Sequence, residues 1–392
     1  MLAERVLEIR PLPPLVFGVG TVTSLGERVR ALGDRAIVVT DRGVAGAGVA
    51  AAVVASLDAS GLASVVFDGV HANPVPGDVL AALGALHDLG PVEGTVVVGL
   101  GGGSPMDTAK ALAMLATNPA GRDVAAVRAL ESEVRVDALA VVCVPTTSGT
   151  GSETNDFGVL TDPELGAKVY PWHASALPRL ALLDPALTAG VPAGATANTG
   201  MDALTHAVEA MSSRNRNEYA DGLCLQVAHL VRRWLPAAVA DGADLEARSQ
   251  LAMASHLAGV AMATGTGQGA CHGIGHALST RLGVAHGAGL AVLLPEVMRF
   301  NLPVCTPVYA RLALALGVGE IGASDGHNAH AAIEAVAALS ASVGTARRLS
   351  EFGLDDASAE VIAHDCLADA VTRNAPVPPT LDDVRALIAA CR

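Results

Sequence analysis

Aromatic residues are scarce: five Phe, three Tyr and two Trp among 392 residues. So few rings leave no stacking platform for single-stranded nucleic acid. Basic residues are in deficit too, 25 against 39 acidic, and the net charge of −14 argues against nucleic acid or an anionic membrane as a partner. The six cysteines, Cys143, Cys224, Cys271, Cys305, Cys366 and Cys391, are scattered and form no C-x-x-C pair. That spacing fits reduced thiols in a core, not a disulfide frame or a Cys-based zinc site, and Cys271 beside His272 reads first as packing. No uninterrupted apolar run approaches the roughly 20 residues that span a bilayer. The start, MLAERVLEIRPLPP, is charged through its first ten residues and has no apolar core of signal-peptide type. These absences point to a soluble cytoplasmic protein with neither a nucleic-acid nor a membrane partner. What is plentiful is Ala, Val and Leu. Hydrophobic residues make up 51% and charged ones 16%, as helices and buried parallel strands require. The apolar surplus also points to a homo-oligomer, a dimer or larger.

The length suggests two domains. Through the first half, short β-branched runs at Ala36 to Thr40, Ser64 to Asp68, Thr95 to Gly99, Leu139 to Val144 and Leu180 to Leu183 alternate with Ala-rich stretches of helical length such as Pro76 to Asp88 and Asp107 to Ala116. This alternation predicts a parallel sheet with helices on both faces, a fold that binds ligands at the carboxyl ends of its strands. After Leu187 strand patterns nearly vanish, and helical segments follow one another, punctuated by Pro192, Pro236, Pro295, Pro303 and Pro376. The expected architecture is an α/β N-terminal domain over 1–190, a Rossmann-like parallel sheet for nucleotide binding, and an all-α C-terminal domain over 191–392. The Gly/Pro-rich turn Thr188 to Gly194 is the expected junction. Residues 118–137 read as an exposed connection.

Two polar loops follow predicted strands. The first, Leu100 to Asp107, carries Gly101, Gly102, Gly103, Ser104 and Pro105 at the start of a helix pattern. Consecutive glycines let backbone N–H groups approach a phosphate, and a helix N-terminus adds a favourable dipole. Ser104 can donate to a phosphate oxygen or cap the helix, and Pro105 suits its first turn. The pattern is not G-x-G-x-x-G, because its last glycine would fall on Ser104, and there is no P-loop lysine. The second, Pro145 to Glu153, gathers five hydroxyls and two glycines at the end of a strand. It offers donors to phosphate or ribose, the competing reading being an ordinary Ser/Thr turn with Ser152 as a helix cap. Asp41 ends a strand, where a carboxylate accepts from an adenosine ribose and repels a 2′-phosphate, favouring NAD over NADP. It precedes the glycine loop by about sixty residues, whereas the Rossmann fingerprint puts it about twenty after, so the strand order must differ from that fold.

The helical half carries Asp202 and His206 at i,i+4 spacing, then His272, His276 and His286 within fifteen residues, of twelve histidines in all. One carboxylate and several imidazoles form a donor set that Fe2+ or Zn2+ accepts. Each histidine alone is better explained as a solvated or hydrogen-bonded residue; the cluster is not. Spacing does not choose among the later three, because His272 and His276 are themselves i,i+4 partners.

Together these stretches resemble the iron-containing (group III) alcohol dehydrogenases: FGVGTVTSLG, GGGSPMDTAK, PTTSGTGSE, DALTHAVE, CHGIGHALSTRLGVAHG and TRNAPVPPTLDDVRALI occur in order along nearly the whole chain. The resemblance implies an N-terminal nucleotide domain, a helical C-terminal domain of the dehydroquinate synthase-like type, and a bound metal. It implies Asp202, His206, His272 and His286 as ligands to Fe2+, with Zn2+ the alternative, and His276 near the metal and nicotinamide without ligating. For NAD it implies Asp41, Asn73, Gly102, Gly103, Ser104, Thr146, Thr147, Thr150 and Lys168, with Leu187 against the adenine. The chain departs from the family pattern at Asn374-Ala375-Pro376, where Asn-Pro-Arg is common, and at Pro171-Trp172-His173 after Lys168. These departures bear on the substrate.

The chemistry so implied is reversible hydride transfer between a small aliphatic primary alcohol, or its aldehyde, and NAD(H). The competitors are a polyol dehydrogenase using zinc, a dehydroquinate-synthase-like lyase on the same scaffold, and a reductase of a phosphonate or carboxylate aldehyde with His173 or Arg281 meeting the anion. Outside enzymes, the competitor is a protein that binds metal or nucleotide without turnover. An open mixed ligand set disfavours it, since closed structural sites prefer four saturating ligands and often Cys.

Overall fold

A computed structural model of the chain describes residues 7–118 and 121–392. It divides into two compact units. One comprises 12–191 with 242–252; the other comprises 192–241 and 253–392 with the described residues 7–11.

The first unit is built on a sheet of β1 (Leu15–Phe17), β2 (Arg35–Val39), β3 (Ala63–Phe67), β4 (Thr95–Gly101), β5 (Ala140–Pro145) and β8 (Leu180–Leu183), with β6 (Leu160–Asp162) and β7 (Ala167–Val169) forming a separate antiparallel hairpin. Its helices are α1 (Leu25–Arg30), α2 (Arg42–Gly46), α3 (Val49–Ala59), α4 (Pro76–Leu89), α5 (Gly103–Thr117) and α6 (Val124–Ala129). All pairings in the six-stranded sheet are parallel, in the order β3-β2-β4-β5-β8-β1. The five strands expected from the sequence are β2, β3, β4, β5 and β8. The other three are three residues long, too short to display a period of two.

Side chains alternate between the two faces. Ile37, Val39, Val97, Val141 and Cys143 pack with residues of α4 and α5, while Ala36, Val38, Val96, Val98, Val142 and Val144 pack with α1 and α3. Apolar residues on both faces explain why the strands read as unbroken β-branched runs. From β3 to β8 the order is the flavodoxin-like 2-1-3-4-5, with β1 added at the edge. The chain steps out from β2 to β3, then crosses back to β4, so the connections after β2 and β4 diverge and leave a crevice at their carboxyl ends. Asp41 follows β2 and the glycine loop follows β4, which accounts for an acidic residue that precedes the glycines.

The segment 118–137, expected as an exposed connection, instead holds α6, capped by Asp123 accepting from Ala126 N, with Ala126, Val127 and Leu130 buried; Pro119 and Ala120 lie outside the described residues. Only one turn of apolar residues faces inward, too little to stand out among the flanking charges.

The second unit is helical: α7 (Ala193–Ser212), α8 (Glu218–Ala240), the end of α9 (Leu245–Ala261), α10 (Ala270–Leu282), α11 (His286–Ala315), α12 (Asp325–Ser342), α13 (Asp356–Ala368) and α14 (Leu381–Ala390). Expected as punctuation, Pro236 lies inside α8, and Pro295 and Pro303 lie inside α11 together with Pro307. A proline leaves the carbonyl four residues before it without its helical donor. For Pro295 that carbonyl is Ala291 O, and Ser340 Oγ of α12 donates to it at 3.4 Å. By length and composition α11 could cross a bilayer. Glu296, Arg299 and Arg311 interrupt it, and it packs against α7 and α12 as the core helix of this unit.

Candidate active site

The helical unit gathers its candidate ligands from three helices. Asp202 and His206 stand one turn apart on the buried stretch of α7; His272 and His276 stand one turn apart on α10; His286 is the first residue of α11. The glycines around them permit close packing. A Cβ on Gly287 would meet Asn198 O of α7 at 2.2 Å, and one on Gly273 would meet Thr372 Oγ1 at 2.0 Å. The glycine-rich background of the histidine segment therefore sets how closely α10 and α11 approach their neighbours.

Three imidazole nitrogens surround one carboxylate oxygen. Asp202 Oδ1 is 3.5 Å from His206 Nε2 and 3.8 Å from both His272 Nε2 and His286 Nε2. These separations are too long for hydrogen bonds, and both Asp202 Oδ1 and His272 Nε2 are buried with no hydrogen-bond partner among the described residues. Buried polar atoms are rarely left so unless something unseen satisfies them. Donors about 2.1 Å from a tetrahedral ion lie roughly 3.4 Å apart, close to the spacing found here. Asp202, His206 and His272 offer donor atoms that all lie within 4.8 Å of one another. The residues fit a divalent metal.

Burial raises the Asp202 carboxyl above its ordinary range, against the opposing pull of His206 and His276. Burial also pushes His272 well below its ordinary value, with His206 and His276 adding to the effect, so the ring is neutral and its lone pair is available. Its Nδ1 is 2.6 Å from Glu209 Oε2. Glu209, one turn beyond His206 on α7, also accepts from the backbone N–H groups of Gly269, Cys271 and His272. Those three donors favour its ionised form, although burial, the larger influence, raises its pKa. With Nδ1–H given to Glu209, Nε2 of His272 is left as an acceptor toward Asp202, the arrangement in which a carboxylate orients a metal-binding histidine. The ring of His276 lies 5.3 Å from that of His286 and 5.8 Å from that of His272, and its Nδ1 is 2.8 Å from Asp369 Oδ2. Neither Glu209 nor Asp369 was expected from the sequence. Glu209 could have been noticed as a further acidic residue at i+3 from His206, whereas Asp369 lies 93 residues from its partner and left no local signal.

In the sheet unit the expected cofactor residues follow the carboxyl ends of the parallel strands, except Lys168, which lies on the β6–β7 hairpin. Asp41 follows β2 and caps α2, accepting from Val44 N at 2.9 Å. Asn73, between β3 and α4, has φ 55°, the one left-handed non-glycine among the described residues. After β4, Gly102 is the N-cap of α5 and Gly103 its first residue, which places Ser104 inside the first turn instead of at the cap. A Cβ on Gly102 would lie 3.2 Å from Thr147 Oγ1 and one on Gly103 3.0 Å from Thr150 Cγ2, so the two polar loops pack directly on each other. Thr146 follows β5, its N–H donating to Gly101 O at 2.9 Å. Lys168 on β7 donates to Thr161 Oγ1 at 2.8 Å, and Leu187, after β8, packs on the α1/α3 side of the core. The competing reading of Ser152 as a helix cap does not hold. Its hydroxyl donates to Asp107 Oδ1 at 2.5 Å and accepts from Lys110 Nζ at 2.8 Å, and Lys110, wholly buried, also donates to Ser152 O and Asn155 Oδ1. This network, unforeseen because its members lie more than forty residues apart, ties the threonine loop to α5.

Residues offered for an anionic substrate are otherwise engaged. Arg281 grips Asp365 with two hydrogen bonds of 2.6 and 3.1 Å, and His173 caps a turn through Ser175. Cys271 is buried, its thiol pushed well above the usual value by that burial, and donates to Leu290 O, as a packing residue would.

A parallel nucleotide-type sheet, a helical unit and a buried Asp/His donor set place the chain among two-unit proteins of the nucleotide-and-metal type. The chain belongs to the iron-containing alcohol dehydrogenase family: the model of that family matches residues 13–185 and the model of the family's C-terminal domain matches residues 196–391. It is 36% identical to EutG of Escherichia coli (strain K12), named a probable alcohol dehydrogenase, over 99% of this chain and 95% of that one. It is 34% identical to the NAD-dependent methanol dehydrogenase of Bacillus methanolicus, over 96% and 97% of the two chains. Among solved structures, a 1,3-propanediol oxidoreductase superposes with a TM-score of 0.91 at 32% identity, covering 99% of this chain and 100% of that one.

Proposed function

We propose that this enzyme is an NAD(H)-linked, metal-dependent alcohol dehydrogenase and aldehyde reductase for small aliphatic primary alcohols. Asp202, His206, His272 and His286 would hold Fe2+, with Zn2+ the alternative, and the residues at the strand ends of the sheet unit, from Asp41 to Leu187, would hold NAD. The reading rests above all on Asp202 Oδ1 and His272 Nε2, buried within the histidine cluster with no hydrogen-bond partner among the described residues. When bound, a divalent ion supplies Lewis acidity at the alcohol or aldehyde oxygen, and NAD+ supplies the hydride acceptor.

The chain's own residues do the rest. Glu209 fixes the tautomer of His272, and burial keeps that ring neutral. His276, beside the cluster, takes the hydroxyl proton and passes it toward solvent as the carbinol C–H leaves as hydride, and returns it in the reverse direction. The N–H groups at the start of α5 would hold the pyrophosphate, and the carboxylate of Asp41 supports NAD over NADP. The engagement of Arg281 with Asp365 and of His173 with Ser175 favours an uncharged substrate over a phosphonate or carboxylate aldehyde. The apolar surplus supports a homo-oligomer, which light scattering of the purified protein would measure.

The test is metal analysis of protein purified without oxygen, followed by a panel of alcohols and aldehydes monitored through NADH absorbance. One ion per chain and NADH formation with primary alcohols are expected. Full metal occupancy with no NADH from any alcohol would overturn the reading.

A further inference from the structure

Two histidines on α10 are treated alike at one ring nitrogen. His272 Nδ1 lies 2.6 Å from Glu209 Oε2, and His276 Nδ1 lies 2.8 Å from Asp369 Oδ2. An ionised carboxylate only accepts, so opposite one a singly protonated ring carries its proton at Nδ1 and leaves Nε2 as an acceptor. The second carboxylate is supplied deliberately by the fold. Gly273 lets the 3-10 turn Ala370–Asn374 approach α10 so closely that a Cβ would strike Thr372 Oγ1, and Asp369 is the residue that opens this turn. Its other oxygen, Oδ1, accepts from Val371 N at 3.0 Å. Asp369 is thus held at both oxygens by donors, one on the backbone and one on His276, and both it and His276 are largely buried.

We propose that Asp369 is a positioning residue for His276, holding its proton at Nδ1 so that Nε2 faces the Asp202 cluster as an acceptor, without itself touching substrate, cofactor or metal. The proposal rests on the alcohol dehydrogenase reading only for its kinetic consequence. The His276 ring and the Val371 N–H, both facing Asp369, are not equivalent. A backbone N–H can only donate, whereas an imidazole can exchange donor for acceptor by moving its proton. An asparagine at this position has a single acceptor oxygen. It would keep the cap to Val371 N, as Asn does well at such positions, and turn its amide NH2 toward His276. The imidazole would then accept at Nδ1 and carry its proton at Nε2, the wrong nitrogen for taking a proton from an alcohol.

The experiment compares the zinc-loaded wild type, Asp369→Asn and Asp369→Glu by 15N chemical shifts of the His276 ring, assigned by loss of signals in His276→Gln, alongside metal content and steady-state kinetics. Expected in D369N are a switch of His276 from Nδ1–H to Nε2–H and a kcat lowered roughly 10- to 100-fold, with alcohol KM, metal content and thermal midpoint unchanged. D369E, which keeps two acceptor oxygens, should restore the tautomer and most of kcat. An unaltered tautomer in D369N, an Nε2–H form already present in the wild type, or loss of metal from D369N would each overturn the proposal. Should the metal-loaded wild type turn over no alcohol, the activity reading fails, and the ring shifts still decide whether Asp369 sets the state of His276.

Discussion

In the sheet unit, the residues expected to hold a dinucleotide, Lys168 on the hairpin apart, follow the ends of parallel strands, and much of what they offer is backbone: the Gly102–Gly103 turn, the start of α5, the loop after β5. In the helical unit, the candidate site is made of side chains delivered by α7, α10 and α11, and the Nδ1 atoms of His272 and of the non-ligating His276 each meet a carboxylate from another element. The two sites should fail differently. A backbone-built site tolerates loss of side chains and is damaged by added bulk. A cluster built of side chains has no substitute for any one donor, because each missing atom leaves buried polar partners exposed to no solvent.

The sharpest test of that contrast is Asp202→Ala. Removing the carboxylate oxygen that three imidazoles face should strip the ion and lower turnover by about 1,000-fold or more, several kcal/mol of lost Lewis-acid stabilisation. Metal analysis and NADH formation read both; undiminished activity would contradict the ligand assignment. Next in size is Glu209→Gln. The amide cannot accept from Nδ1–H and from three backbone N–H groups as a carboxylate does, so metal affinity should weaken about 10- to 100-fold, measured by competition with a chelator. Equal affinity in E209Q would reduce Glu209 to a structural residue.

On the sheet side, Gly103→Ala brings a Cβ to 3.0 Å from Thr150 Cγ2, tight enough that one loop must move. The cost of overpacking is about 1–3 kcal/mol. Titration calorimetry should show NAD affinity lowered by roughly tenfold, with metal content untouched. A loss of metal in G103A would break the separation between the two sites. The smallest effect expected is on stability alone. Arg128 holds the Asp162 carboxyl below its ordinary range through two hydrogen bonds, with burial acting the other way. A depressed carboxyl adds stability above its unfolded pKa and loses it as pH falls through the folded value. Chemical denaturation should therefore show Arg128→Met less stable than wild type by a constant small amount at neutral pH, the gap closing below about pH 4. A gap that persisted in acid would mean that packing, not charge, links α6 to the hairpin.

Legibility followed the same division. Strands β2, β4 and β5 and both polar loops could be read directly because their information is local: β-branched runs buried on both faces, then glycines and hydroxyls where the backbone must turn. Asp202 and His206 were legible as a pair because helix geometry fixes i,i+4 neighbours. Sequence spacing did not separate His272 from His276, and the prolines inside α11 looked like breaks because the serine that meets Ala291 O belongs to another helix. The carboxylates of Glu209 and Asp369 and the buried Lys110 network went unseen for one reason: each acts on a residue more than forty positions away.

By itself, then, the order of residues determined which segments become strands and helices, which loops are rich in glycine or hydroxyl, and which side chains carry donors. Periodicity and local stereochemistry act within a few residues, so they are written in short stretches. Which donors converge, which ring nitrogen carries a proton and which prolines sit within a helix were decided only by tertiary packing. Those properties depend on atoms brought to within a few ångströms from distant parts of the chain, and no local pattern encodes that distance.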